Sequence, residues 1–407
     1  MPAGRGRKKG KDGRQALKFK RVFLAVLDSL GAGAAPDAAE YGDEGSGTID
    51  ALLESGFIDC PNLRKAGLFS VDTLANRVSG DKTCGCFASL REKSKGKDTT
   101  TGHWELAGVV SERPFPTYPH GFPLPLLEEF SRLTGRGWLC NMPYSGTEVI
   151  KDYGVRHMET GGYIVYTSAD SVFQVAAHEA VVPRDILYRD CLAARRLLCG
   201  ENAVGRVIAR PFAGEPGSFY RTAGRHDYSL EPTGVTMLDT IYGAGMSVIS
   251  VGKINDIFAG RSVSESYPTS GNDEGISRLK ELGKKDFNGL CFVNLVDFDM
   301  LYGHRNDIKG YADALNRFDA QLPGILSLLG EDDMLIITAD HGCDPATEST
   351  DHSREYVPLL VLGNRIKSNT DLGIIDGFDC VAATVCSALG VPAAGVGKDL
   401  LPLCMKN

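Results

Sequence analysis

RVFLAVLDSLGAG, residues 21–33, contains the first clear β-strand of the chain. Its first seven residues form a nearly continuous apolar run, which is typical of a strand buried on both faces of a parallel sheet. The run ends at Asp28, and Gly31 and Gly33 follow. An acid and glycines at the carboxyl end of a buried strand are typical of ligand sites in α/β proteins. The stretch therefore predicts a central strand with a functional loop at its end.

The same pattern recurs in the second half of the chain. Apolar runs predict strands at 245–251, 290–296, 333–338 and 356–363. Helical periodicity predicts helices at 308–329 and 378–390. Because alternating strands and helices are typical of a mostly parallel sheet with helices on both faces, we predict an α/β fold.

The middle of the chain, from about 114 to 229, is richer in Pro, Gly and Arg. Its readable strands are short and lie at 162–168 and 206–212. We expect this segment to form a smaller α+β cap domain. It would be inserted into a core domain that comprises residues 20–113 and 230–407.

Charge is unevenly distributed along the 407 residues. The net charge is −8, but residues 1–21 carry nine Lys or Arg and one Asp, a local charge of +8. The remaining chain is therefore strongly acidic, which disfavours nucleic-acid binding and is compatible with cation binding. Residues 1–19 lack the apolar stretch of a secretory signal. Of a disordered arm, a weak organellar presequence and a tail that attracts nucleic acid, we expect a basic, disordered arm.

The cysteines and the hydropathy bear on the cellular location. The chain has 11 cysteines, an odd number, without a repeated CxxC pair. Such scattered cysteines are typical of reduced thiols, so we expect a cytoplasmic protein. It contains no run of about 18 apolar residues, so we expect no membrane-spanning helix.

Acids and histidines follow the predicted strands of the core. They are Asp28, Asp299, His304, Asp340, His341 and, slightly later, His352. Because the carboxyl ends of parallel strands meet at one edge of a sheet, we expect these side chains to lie together. Three packed carboxylates repel one another unless a divalent metal neutralises them. Three Asp and three His are enough ligands for two metal ions of the Mn, Zn or Mg type.

These residues also have an ordinary structural interpretation. An acid after a strand often caps a helix, and a histidine in a loop is often a surface residue. Three strand endings of the same kind argue against coincidence. The imidazoles argue against Mg, and the absence of thiolates argues against a structural zinc site.

Three consecutive threonines occur in GKDTTTGHWE, residues 96–105, where a helix cap is the ordinary interpretation. A threonine hydroxyl is a poor nucleophile, but coordination to a metal lowers its pKa. A threonine beside two metals is therefore a candidate to carry a phosphoryl group covalently. Basic residues that could hold the far end of a phosphorylated substrate are Arg206, Arg210, Arg221, Arg225 and Lys253.

Several motifs together resemble the prokaryotic-type phosphopentomutase family of the alkaline phosphatase superfamily. They include KDTTTGHWE (97–105), YTSADSV (166–172), RVIARPFAGEPGSF (206–219), NLVDFDMLYGHRND (294–307) and TADHGCDP (338–345). The match runs in order from about residue 20 to 405. The motifs of the cap are its most specific part, because TADHG is shared across the superfamily.

The resemblance implies an alkaline-phosphatase-like core with an inserted cap and two Mn²⁺ ions. It implies one ion held by Asp28, Asp340, His341 and a threonine hydroxyl. The other ion would be held by Asp299, His304 and His352.

The resemblance also implies which threonine reacts. The phosphorylated residue would be the threonine directly after the aspartate, Thr99, and Thr101 would support the loop. Thr100 stands where relatives carry other residues. The implied substrate contacts are Ser168, Asp170, Arg206, Arg221 and Lys253.

The implied activity is that of an isomerase in nucleoside and pentose phosphate metabolism. It would interconvert ribose 1-phosphate and ribose 5-phosphate, and their 2-deoxy forms. Phosphothreonine and a 1,5-bisphosphate would be intermediates, and glucose 1,6-bisphosphate or a similar bisphosphate would prime the enzyme.

Other functions stay open at this point. A metal-dependent phosphatase, or a mutase of another sugar phosphate, would share the core motifs, since only the cap motifs favour a pentose. A sulfatase is disfavoured because neither Cys nor Ser stands at position 99. A non-catalytic protein that attracts nucleic acid through its arm is disfavoured by the complete ligand set.

Overall fold

The protein, here a computed structural model, is described for residues 19–78, 80–168 and 170–406. These residues form one sheet of eight strands and one of six. The six-stranded sheet lies within the segment predicted to be the cap, and the division into domains stays a prediction. The predicted basic arm lies outside the described residues, except for Phe19.

The larger sheet contains the predicted central strand in the middle. Its strands are β1 (Arg21–Leu27), β2 (Cys86–Arg91), β9 (Ser247–Val251), β10 (Glu265–Tyr267), β11 (Gly289–Leu295), β12 (Asp333–Thr338), β13 (Val357–Leu362) and β14 (Thr370–Asp376). Their order is β10-β9-β11-β1-β12-β13-β2-β14. Within this sheet β13 pairs antiparallel with both of its neighbours, and the other pairings are parallel. The predicted α/β fold with a mostly parallel sheet is confirmed.

The smaller sheet is mixed. Its strands are β3 (Trp138–Pro143), β4 (Tyr163–Thr167), β5 (Val172–His178), β6 (Arg206–Ala213), β7 (Tyr220–Arg221) and β8 (His226–Ser229). They follow the order β3-β4-β5-β6-β7, and β8 also pairs with β6. Neighbouring pairs alternate between parallel and antiparallel along the path.

Helices cover both sheets. The helices in the same segments as the larger sheet are α1 (Thr48–Glu54), α2 (Pro61–Ala66), α3 (Thr99–Leu106), α7 (Met237–Gly243), α8 (Ile254–Ile257), α9 (Asn272–Lys284), α10 (Ile308–Leu326), α11 (Cys380–Leu389) and α12 (Leu401–Cys404). The helices in the segment of the smaller sheet are α4 (Leu124–Thr134), α5 (Glu148–Thr160) and α6 (Arg184–Leu197). The apolar residues of α4 and α6 pack in one cluster with the smaller sheet, and those of α5 pack in another. None of the described helices combines the length and apolar composition that crossing a bilayer requires.

The register of the larger sheet sets the position of the acids. Leu27 at the end of β1 pairs with Leu295 of β11, and Val26 pairs with Thr338 of β12. All three strands run in the same direction, so the loops that follow them leave at one edge. Asp28 therefore lies beside the segment that contains Asp340.

A buried arginine fixes the loop that precedes α3. Arg354 is 1% exposed, and its guanidinium forms an ion pair with Glu92 and another, at 3.0 Å, with Asp37. It also donates to the carbonyl oxygen of Gly96 at 2.7 Å. Because Gly96 lies three residues before Thr99, this network anchors the chain just ahead of α3.

Replacing Arg354 by Met should destabilise the fold by about 3–5 kcal/mol, because Glu92 would then be buried without a charge partner. Urea denaturation of both proteins measures the difference. Arg132→Met is the matched control, since Arg132 pairs with Glu129 on the surface and its loss should change little. Equal stability of the Arg354→Met variant and the wild type would contradict this account.

Candidate metal centre and nucleophile

The six predicted acids and histidines lie together at the carboxyl edge of the larger sheet. In the first group, the Nε2 atoms of His304 and His352 each lie 3.3 Å from a carboxylate oxygen of Asp299. The two Nε2 atoms lie 3.2 Å from each other. These three residues present ligand atoms within 4.8 Å of one another, which is close enough to share one ion.

The local backbone explains how Asp299 and His304 meet. A π-helical turn, Phe298–Tyr302, follows β11, and a 3₁₀ turn, Gly303–Arg305, follows it. In a π-turn the hydrogen bond joins residues five apart, which is the separation of Asp299 and His304. The turn therefore brings both side chains to one side of the loop.

The second group surrounds His341. Its Nε2 atom lies 3.4 Å from Asp28 Oδ1 and 3.4 Å from Asp340 Oδ2. The ligand atoms of Asp28, Asp299 and His341 also lie within 4.8 Å of one another. Asp299 thus belongs to both groups, whereas the family resemblance implied it for one ion alone.

The side chains of both groups fit a bound cation. Nδ1 of His304 donates to the carbonyl of Thr350 at 2.6 Å, and Nδ1 of His341 donates to Gly342 at 3.0 Å. These bonds leave both Nε2 atoms free to act as ligands. One oxygen each of Asp28, Asp299 and Asp340 is buried and has no hydrogen-bond partner among the described residues. A divalent cation would satisfy these oxygens.

Burial and neighbouring charges shift the pKa values of these acids and histidines strongly. Burial raises the pKa of Asp28, and the neighbouring charge of Asp340 raises it further. Burial would also raise the pKa of Asp299, but the adjacent imidazoles of His304 and His352 outweigh it and hold that pKa well below its usual range. The Asp299 carboxylate, 3.3 Å from Nε2, raises the pKa of His304 to about 9.

Thr99 lies beside this cluster, as its hydroxyl oxygen is 3.1 Å from His341 Nε2. It is the first residue of α3, directly after the helix cap Asp98. Thr101 donates to the Asp98 carboxylate at 2.6 Å. A side chain at Gly102 would collide with the backbone of Asp340, so the glycine allows α3 to pack against that loop.

Two buried residues that the sequence analysis did not single out connect the site. His103 Nδ1 lies 2.9 Å from the carbonyl oxygen of Thr99 and 3.0 Å from Asp340. Asn294 donates to Asp28 at 2.8 Å and lies 3.3 Å from His103 Nε2. The signals were present, because His103 follows Thr99 by four residues and Asn294 interrupts an apolar strand.

The predicted substrate contacts lie in three places. Ser168 Oγ accepts from the backbone N–H of Asp170 at 3.3 Å, and Asp170 lies 3.8 Å from Arg206. Lys253 follows β9, and the preceding Gly252 packs against the backbone of Asn294, near the acids. Arg221 lies elsewhere, on β7. Among the described residues, no hydrogen bond or ion pair joins these side chains to Thr99.

Comparison with known proteins identifies the family. The chain is 58% identical over 390 residues to a phosphopentomutase of Lachnoclostridium phytofermentans, covering 96% of this chain and 100% of that protein. The chain belongs to the phosphopentomutase family. A phosphopentomutase of Carboxydothermus hydrogenoformans is 55% identical and covers 94% of this chain and 98% of its own length. The model of the Metalloenzyme superfamily matches residues 20–393.

As a phosphopentomutase, the protein is an isomerase that acts on small sugar phosphates, and it is a metal-dependent enzyme. A solved phosphoglycerate mutase of Leishmania mexicana matches with a TM-score of 0.48 at 13% identity. That match covers 95% of this chain and 98% of the other.

Mn²⁺ should stabilise the metal-stripped phosphopentomutase, by about 2.7 kcal/mol at a hundredfold excess over the dissociation constant. Bound Mn²⁺ must displace a proton from His304, whose pKa is raised to about 9. The stabilisation should therefore grow as the pH rises from about 7 toward 9, and calorimetric melting temperatures at several pH values measure it.

His304→Ala should lose most of this stabilisation. His226→Ala, which removes an exposed histidine of β8, should keep it. A melting temperature that responds to Mn²⁺ equally at every pH and in both variants would show that the metal binds elsewhere.

Proposed function

We propose that this phosphopentomutase interconverts ribose 1-phosphate and ribose 5-phosphate, and the 2-deoxy forms, through a phosphorylated Thr99. The observation that carries the proposal is the position of the Thr99 hydroxyl, 3.1 Å from His341 Nε2 at the border of the candidate metal groups. The side chain of Thr99 is half-buried. A substrate can therefore reach its hydroxyl while the hydroxyl stays in contact with the candidate metal ligands.

Two divalent cations, Mn²⁺ in our proposal, would be held by the six acids and histidines. Asp28, Asp340 and His341, with Thr99, would hold one ion, and Asp299, His304 and His352 would hold the other, with Asp299 near both. When bound, such ions lower the pKa of a threonine hydroxyl and neutralise charge on a transferring phosphoryl group.

The start of α3 would stabilise phosphorylated Thr99. Unpaired backbone N–H groups and the helix dipole favour negative charge at the first turn of a helix. The Asp98 carboxylate accepts a hydrogen bond from the backbone N–H of Thr101 and so holds the first turn of α3 in one conformation. Through its contact with the Thr99 carbonyl, His103 would hold this turn against the acids.

Priming would transfer one phosphoryl group from glucose 1,6-bisphosphate to Thr99. A bond forms between Oγ and phosphorus, the bond from phosphorus to the sugar oxygen breaks, and the sugar oxygen takes the hydroxyl proton. Phosphorylated Thr99 would then donate to the free hydroxyl of a pentose monophosphate, which gives the 1,5-bisphosphate. Return of the other phosphoryl group to Thr99 completes the isomerisation.

Residues of the predicted cap would hold the sugar and its second phosphate. We assign this role to Ser168, Asp170, Arg206, Arg221 and Lys253. The contact between Asp170 and Arg206 supports the proposal, because it places a carboxylate for sugar hydroxyls beside a guanidinium for phosphate. The cap would also exclude water, which would otherwise hydrolyse phosphothreonine.

Thr99→Ala should lower isomerase activity by roughly a thousandfold, because it removes the proposed phosphoryl acceptor. Peptide mass spectrometry after incubation with Mn²⁺ and glucose 1,6-bisphosphate should locate one phosphate on Thr99 of the wild type. The same method should find none in the variant.

Thr100→Ala is the matched control, since Thr100 is half-buried in the same turn and takes no part in the proposal. It should keep activity and phosphorylation. Phosphate on Thr100, or substantial turnover by Thr99→Ala, would refute Thr99 as the acceptor. Release of inorganic phosphate in place of isomerisation would indicate a phosphatase.

A further inference from the structure

Ser29, two residues after β1, has a strained backbone. Its φ of +68° lies in the left-handed region that favours glycine, and the residue is 0% exposed. In this conformation the backbone N–H of Ser29 donates to Asp340 Oδ1 at 3.1 Å. Glycine would adopt the same backbone without strain, so the side chain of Ser29 calls for an explanation of its own.

The partner of the Ser29 side chain is Tyr311, which is also 0% exposed. The two hydroxyl oxygens lie 3.2 Å apart, and the hydroxyl of Tyr311 donates to the carbonyl oxygen of Asp28 at 3.4 Å. A tyrosine hydroxyl has a single proton, so its oxygen accepts from Ser29 while it donates to Asp28. Tyr311 thus holds the chain on both sides of the peptide bond that joins Asp28 to Ser29.

The ring of Tyr311 packs against the π-helical turn that contains Asp299. Its centroid lies 5.4 Å from the ring centroid of Phe298 and 6.5 Å from that of Tyr302, within the usual range for aromatic pairs. Phe298 and Tyr302 are the first and last residues of the turn. One side chain therefore contacts the loop of Asp28 through its hydroxyl and the turn of Asp299 through its ring.

Tyr311 is itself held in the first turn of a long helix. Its backbone N–H donates to the carbonyl oxygen of Asp307, the residue that caps α10, at 2.9 Å. The Asp307 carboxylate accepts from the N–H of Gly310 at 2.9 Å. A Cβ atom at Gly310 would lie 2.5 Å from the ring of Tyr302, so the glycine lets the start of α10 approach the π-helical turn. Tyr311 is consequently a fixed point between the two loops.

We propose that Tyr311 and Ser29 are positioning residues that fix the two candidate metal groups relative to each other. The hydroxyl pair holds Asp28 and, through the N–H of Ser29, Asp340, whereas the ring holds the turn of Asp299. Residues that bond to metal ligands without touching the metal orient those ligands, and their loss typically lowers metal affinity by about 10–100-fold. This inference rests on the proposed function for the presence of two ions.

Tyr311→Phe tests the hydroxyl and keeps the ring. In titration calorimetry of the metal-stripped enzyme with Mn²⁺, the Kd of one ion should rise by about tenfold, and that of the other should stay unchanged. Electron paramagnetic resonance of the Mn²⁺-loaded enzyme should show altered coupling between the two ions, because their separation changes. An unchanged spectrum would overturn the proposal even if the affinity falls.

Tyr163→Phe is the matched control. The Tyr163 side chain is also 0% exposed, and its hydroxyl donates to Asp190 at 2.6 Å within the smaller sheet. The control should lower the melting temperature, because it leaves Asp190 without this donor, and it should leave both Kd values and the coupling unchanged. A loss of Mn²⁺ affinity as large as in Tyr311→Phe would show that any buried tyrosine has this effect, which contradicts the proposal.

Ser29→Gly tests the other half of the hydroxyl pair without risk to folding. It should melt at the same or a higher temperature than Ser29→Ala without metal, since glycine adopts the left-handed backbone without strain. Both variants should raise the same Kd as Tyr311→Phe. Combining Ser29→Ala with Tyr311→Phe should add little, because the two residues act as one pair. Wild-type affinity in Ser29→Gly, or fully additive losses in the double variant, would overturn the proposal.

The wild-type spectrum separates this inference from the proposed function. A wild type without a coupled pair of Mn²⁺ ions would refute the two-ion centre, and the positioning role with it. A coupled pair in the wild type that is identical in Tyr311→Phe would refute the positioning role alone.

Discussion

Mutual repulsion of buried carboxylates is the constraint on which the site depends. Asp28, Asp299 and Asp340 are almost completely buried at one edge of a parallel sheet, and each has an oxygen without a hydrogen-bond partner in the described chain. Such an arrangement is unfavourable unless positive charge compensates it. Three imidazoles supply part of that charge only when protonated, so a divalent metal is the natural partner of the group.

The remaining architecture holds this group in place and supplies positive charge at a second location. Arg354 fixes the loop before α3, and His103 joins that helix to the acids, so the start of α3 has little freedom. In the smaller sheet the charge is positive, since Arg210 and Arg221 form no ion pair within the described part of the chain. Metal ions held at the first location and guanidinium groups at the second would suit the proposed substrate, which carries two phosphates.

Much of the fold was predictable from local pattern. The run at 21–27 coincides with β1, because a buried parallel strand is apolar along its whole length. The strand predicted at 356–363 exists, but it runs antiparallel to both β12 and β2, and β2 lies far away in sequence. Likewise, the contact of His103 with Asn294, 191 residues apart, and that of Ser29 with Tyr311, 282 residues apart, are properties of the folded chain.

The central claim is that one edge of the larger sheet binds two metal ions next to Thr99. Anomalous diffraction at the manganese absorption edge from Mn²⁺-loaded crystals tests it directly. The account predicts two peaks about 4 Å apart, one beside Asp299, His304 and His352 and the other between His341 and the Thr99 hydroxyl. A single peak, or a second peak remote from Thr99, would contradict it.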